Sequence, residues 1–133
     1  MARVMATGTF DLFHKGHEKY LEQARGFGDE LVVVVARDSN VKRLKGEPVD
    51  DEITRLANVQ ACRHVDTAIL GEEGDRLKSV EKVNPDIICL GYDQKVDEGR
   101  LMEELKERNL RPRIVRAAPF KPEKYKSSKL RHL

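Results

Sequence analysis

Arg3-Val4-Met5-Ala6-Thr7-Gly8-Thr9-Phe10-Asp11-Leu12-Phe13-His14-Lys15-Gly16-His17 runs from an apolar stretch of strand composition, through a turn at Gly8, into a helix. That helix, residues 17–27, places Tyr20, Leu21, Ala24 and Phe27 on one face and ends at Gly26 and Gly28. In open parallel sheets a ligand lies outside the carboxyl ends of the strands, so the turn after Thr7 is the first place to look for a site. Gly8 lets the backbone approach a ligand closely, and Gly16 does the same where the helix begins. Free N–H groups at a helix start, aided by the helix dipole, attract phosphate. His14 and His17 lie three apart, so two imidazoles can converge on that phosphate. A solvated histidine pair or part of a metal site would share the spacing. A zinc site needs further ligands, and the chain has no Cys-x-x-Cys or His-Glu-x-x-His to supply them. No metal ligand is therefore assigned.

Outward from this segment, short β-rich runs alternate with helical stretches to the end of the chain. The runs are residues 3–7, 30–36, 67–70, 86–90 and 113–116. Several are apolar at every position, as strands covered on both faces should be. The alternation predicts an α/β fold, a parallel sheet of about five strands with crossover helices. A second helix starts after Asp50 and Asp51, whose carboxylates suit an N-cap, and reaches about residue 61; a third carries Leu77, Val80 and Val83; a fourth spans about 97–109. Residues 38–50 and 117–128 read as irregular, and long loops in a compact domain are often functional. No repeat or linker interrupts residues 1–133, which are expected to form one domain.

Charged residues make up 36% of the chain and hydrophobic ones 39%, which fits a folded domain with a charge-rich surface. The 25 basic residues nearly balance the 23 acidic ones, and aromatic residues are only 5%, so nucleic acid is not expected as a partner. The longest apolar run, residues 31–36, is too short for a bilayer, and the expected location is the cytoplasm. Cys62 and Cys89 lack the spacing of a zinc or redox motif and read as inert core residues.

Taken together, Gly8 to His17 resembles the signature of the cytidylyltransferase-like nucleotidylyltransferases, with their His-x-Gly-His element. The resemblance continues through Ala36-Arg37-Asp38, Lys45-Gly46, Val65-Asp66, Leu70-Gly71 and Gly91-Tyr92-Asp93-Gln94, thus over most of the chain, and is nearest the archaeal FAD synthetases. It implies a three-layer Rossmann-like fold, a homodimer, and magnesium or another divalent cation with the nucleoside triphosphate.

The resemblance places Thr9 and Phe10, with Lys15 and Gly16, on the nucleotide, and His14 and His17 near its triphosphate, His17 stabilising charge at the transferring phosphorus. Lys42 and Lys45 lie in the loop after the second strand, where cations can hold the acceptor phosphate or the triphosphate, or merely be solvated. With Asp38 they are assigned to the acceptor, and Lys45 also to catalysis. Arg55 either faces the phosphates or pairs with an acidic neighbour on the surface. Asp93 is assigned to the nucleotide, where a carboxylate can accept bonds from ribose or base; otherwise it caps its loop. Tyr125, Ser127 and Ser128 look like the family's phosphate-binding loop before a last helix.

The expected reaction is transfer of AMP from ATP to FMN, giving FAD and pyrophosphate. An alternative is a cytidylyltransferase that uses CTP on glycerol 3-phosphate or another small phosphorylated alcohol or sugar. It is disfavoured because Ala117-Ala118-Pro119-Phe120 replaces the Arg-Thr-Glu-Gly-Ile-Ser pattern of glycerol-3-phosphate cytidylyltransferases. A non-catalytic nucleotide-binding protein is the second alternative, since a fold alone never establishes activity.

Overall fold

The computed structural model describes residues 2–92 and 94–119. Their core is one five-stranded sheet, β1 (Arg3–Gly8), β2 (Glu30–Val35), β3 (Thr67–Leu70), β4 (Ile87–Leu90) and β5 (Arg113–Arg116). All neighbours are parallel, in the order β3-β2-β1-β4-β5. The helices α1 (Lys15–Gly26), α2 (Asp38–Leu44), α3 (Glu52–Gln60), α4 (Leu77–Val83) and α5 (Glu98–Glu107) alternate with the strands, as the sequence predicts.

The period-two geometry of a strand explains why the central runs are apolar throughout. Val4 and Ala6 of β1, Leu31, Val33 and Val35 of β2, and Ile87 and Cys89 of β4 face one core, with Leu21 and Ala24 of α1 and Val59 of α3. The intervening Met5, Val32, Val34, Ile88 and Leu90 face the other core, against Leu77, Val80 and Val83 of α4 and Leu101 and Leu105 of α5. Helix, sheet and helix form the three layers. The chain moves outward from β1 to β2 and β3 on one side, then returns to place β4 and β5 on the other. The reversal opens a crevice at the carboxyl ends of β1 and β4, where open sheets bind ligands.

Two sequence expectations change. Residues 38–44, read as irregular, form α2; only Val41 of its seven residues is buried, so no apolar periodicity announces it. The first helix starts at Lys15 rather than His17, because His14 is its N-cap.

Candidate active site

The loop from β1 to α1 is wound tightly around its own side chains. Phe10 and Leu12 adopt positive φ angles of 57° and 51°, a conformation that costs a residue with a Cβ and persists only when its surroundings enforce it. Here the Phe10 ring is buried beneath Gly8, stacked on Tyr20 and edge-on to His17. A Cβ on Gly8 would stand 2.9 Å from that ring, so residue 8 must lack one. Tyr20 donates its hydroxyl to the carbonyls of Thr7 and Cys89, tying α1 to the ends of β1 and β4.

The two histidines form a reciprocal cap on α1. Gly16 N–H donates to His14 Nδ1 at 3.0 Å, and His14 N–H donates to His17 Nδ1 at 3.2 Å. His17 occupies the position that Glu or Gln fills in a capping box. Each Nδ1 accepts, so each neutral ring carries its proton on Nε2. The rings stack with centroids 3.8 Å apart. Burial lowers the pKa of His14, and burial, His14 and Lys45 together lower that of His17 to about 3. Both imidazoles are therefore neutral donors at physiological pH. His14 Nε2 is buried without a hydrogen-bond partner among the described residues. A buried N–H left unpaired in this way is a place for an acceptor such as a phosphate oxygen.

Across the crevice, Lys45 Nζ lies 3.3 Å from Thr9 Oγ1. The loop carrying it is held by Asp11, whose buried carboxylate accepts the N–H groups of Val49 and Asp50, both at 2.8 Å. Arg55 corrects the sequence reading: it does not pair on the surface but is wholly buried. Its guanidinium donates to the carbonyls of Asp50, Thr9 and Ala36 and, at 2.6 Å, to the Asp38 carboxylate. One side chain thus fixes the turns after β1 and β2 and the start of α3 together. Asp38 is engaged by Arg55, while Lys42 is exposed beside Glu47. On the other flank, Gln94 accepts from Gly91 N–H and donates to the Thr7 carbonyl. Arg116 donates to the carbonyls of Gly91, Gln94 and Val96.

The structure therefore gathers Thr9, His14, Gly16, His17 and Lys45 at the crevice, with Lys15 exposed at the first position of α1. Phe10 contributes its ring to the core beneath them. Asp93, Tyr125, Ser127 and Ser128 lie outside the described residues. Sequence reasoning gave no role to Asp11, Gln94 or Arg116; each acts by binding backbone groups, which have no residue-type signature. Among the described residues no group of three or more His, Cys, Asp or Glu could hold a metal ion. Burial raises the Cys89 thiol to about 11 and also raises Cys62, so neither is a reactive thiolate. No helix among the described residues is long and apolar enough to cross a membrane.

The cytidylyltransferase-like family model matches residues 5–133. A protein named FAD synthase from Aciduliprofundum boonei is 52% identical over 120 residues, 90% of this chain and 80% of its own. A FAD synthase from Thermoplasma volcanium is 48% identical over 131 residues, 98% of this chain and 92% of its own. A solved Thermoplasma volcanium structure, described as a lipopolysaccharide core biosynthesis protein, superposes with a TM-score of 0.88 at 50% identity, covering 90% of this chain and 98% of that one. With a family model spanning nearly its whole length, and relatives sharing about half of its residues, the chain belongs to the cytidylyltransferase-like family.

Proposed function

We propose that the protein is an FMN adenylyltransferase, which transfers AMP from ATP to FMN and releases pyrophosphate. The observation that carries this reading is the identity of about half the residues, over most of both chains, with archaeal proteins named FAD synthase. The site supports the chemistry. A phosphate oxygen of FMN attacks the α-phosphorus of ATP in line, and the bond from that phosphorus to the oxygen bridging to the β-phosphate breaks. The electron pair leaves with pyrophosphate. A phosphate monoester is largely ionised at neutral pH, so the attacking oxygen needs no general base. What remains is positioning and stabilisation of charge on the phosphoryl oxygens.

The locked Nε2–H groups of His14 and His17 suit that task. They are donors held in place before the substrate arrives, and such a donor is typically worth about 100- to 1,000-fold in rate. Lys45 adds a positive charge at the opposite wall. With no carboxylate cage among the described residues, the divalent cation is assigned to the triphosphate and enters as part of the metal–ATP substrate. Asp93 is assigned to the nucleotide, and Tyr125, Ser127 and Ser128 to its phosphates; Asp38 and Lys42 are assigned to the acceptor side.

The name of the solved Thermoplasma volcanium structure favours a second reading, nucleotidyl transfer to a phosphorylated sugar. Incubating the purified protein with FMN, magnesium and either ATP or CTP separates the two. FAD with stoichiometric pyrophosphate from ATP supports the first reading, and His17→Ala should abolish that product while leaving the circular dichroism spectrum unchanged. No flavin nucleotide with either triphosphate would move the assignment to a sugar-phosphate acceptor, tested with CTP.

A further inference from the structure

The parallel register between β1 and β4 ends at Ala6↔Cys89, and beyond it side chains join the two strand ends. Tyr20 of α1 shares its hydroxyl hydrogen between the Cys89 carbonyl at 2.9 Å and the Thr7 carbonyl at 3.3 Å. From the loop after β4, the Gln94 side chain accepts the Gly91 N–H at 2.7 Å and donates to the same Thr7 carbonyl at 3.2 Å. One backbone bond of about 2.9 Å would draw Gly91 against Thr7; two hydrogen bonds with an amide between them hold the pair apart. The amide is a spacer at the crevice that opens between these strand ends. Its footing is firm. The Gln94 N–H closes a turn onto the Gly91 carbonyl, Arg116 donates to the carbonyls of Gly91, Gln94 and Val96, and the Glu98 carboxylate holds that guanidinium at 2.7 Å.

We propose that Gln94 is a positioning residue for nucleotidyl transfer: its amide sets the separation between the ends of β1 and β4, and with it the place of the nucleotide relative to the histidine loop. The inference rests on the site taking a nucleoside triphosphate, not on FMN being the acceptor. Thr7 leads directly into Gly8 and Thr9, and the Phe10 ring beneath Gly8 stands edge-on to His17. A shift of the Thr7 carbonyl is therefore passed to the imidazole through packed groups. On the other side, Gly91 is two residues before Asp93, which is assigned to the nucleotide. Gln94 links the two sides with one side chain, and an error of about 1 Å in such a placement costs on the order of 100-fold in rate. The segment bearing Lys45 is tied down by Asp11 and Arg55 instead, so the acceptor flank does not depend on Gln94. A stitch that only stabilises the fold would use the same two bonds, which is why binding and rate must be read beside stability.

Gln94→Met keeps the length of the side chain and removes both bonds without adding charge, whereas Gln94→Asn keeps the amide one methylene too short to span them. Gln94 is half-buried and belongs to neither core, so both variants should retain the wild-type circular dichroism spectrum. Binding of Mg–ATP, with Mg–CTP in parallel, is measured by calorimetry in the absence of acceptor. A wild type that makes no FAD would overturn FMN as the acceptor and leave this measurement intact. The Kd of the triphosphate that the wild type binds more tightly should rise at least tenfold in both variants. Where FAD is formed, kcat should also fall at least tenfold while the KM for FMN stays within twofold. A Kd and a kcat within threefold of wild type in Gln94→Met overturn the proposal, and the same thresholds apply to Gln94→Asn if the methionine variant does not fold. A lower urea midpoint with Kd and kcat unchanged overturns it too, since Gln94 would then be a stitch of the fold alone.

Discussion

Replacing His17 by glutamine tests the neutral, locked imidazole through stability rather than rate. Glutamine is the usual residue at this capping position, so its amide oxygen can accept the His14 N–H in place of Nδ1, but it does not titrate. In the folded protein His17 is depressed to about 3, chiefly by burial and further by His14 and Lys45. Unfolded, it has the ordinary value of about 6.5. The folded state therefore refuses a proton that the unfolded state accepts. Stability is unaffected above the unfolded value and falls as the pH drops below it, by about 1.4 kcal/mol per unit until the folded value is reached. At pH 5 the penalty is about 2 kcal/mol, a large fraction of a small domain's stability. His14 shifts in the same direction but is present in both proteins. Urea unfolding at pH 8 and pH 5 should show the wild type losing about 2 kcal/mol more than His17→Gln across that interval. Equal losses would mean that His17 takes up a proton in the folded state near its ordinary pKa, and the tautomer argument would fall with it.

Arg55→Lys keeps the charge but cannot reach three carbonyls and a carboxylate from one planar group, so the half-buried Asp38 carboxylate and the buried carbonyls around Arg55 are left short of donors. A loss of at least about 3 kcal/mol in urea unfolding is expected, and wild-type stability would show that the network is replaceable. Gly8→Ala should drive the Phe10 ring away from His17 and lower kcat without a matching rise in the KM for either substrate. Wild-type turnover in that variant would mean that the Phe10 ring can move without disturbing the histidines.

The fold was legible because the signals were redundant. β2 is apolar at five consecutive positions and buried at all of them, and Asp51 caps α3 where a carboxylate precedes the apolar run. The histidine pair was legible from spacing, but its geometry was not. A capping box usually pairs Ser or Thr with Glu or Gln, so His14 and His17 in those roles give no pattern to recognise. Arg55 was misplaced because an arginine in an amphipathic helix normally faces solvent, and only the assembled turns after β1 and β2 supply enough carbonyls to bury it. The exposure of Leu44, Val49 and Ile53 is likewise invisible in composition, since an exposed leucine and a buried one are the same letter.

The loop between α2 and α3 is gripped at its start by the Val41 carbonyl and at its end by Asp11 and Arg55. None of these contacts uses the side chains of residues 44–49 other than through their backbone amides. The loop is thus a cassette with fixed ends, and apart from Lys45, which reaches Thr9, its side chains can change without moving the imidazoles of His14 and His17. Substitution at Leu44, Glu47, Pro48 and Val49 can therefore reshape this rim of the crevice while Lys45, which reaches Thr9, and Gly46, which holds a φ of 95°, are kept.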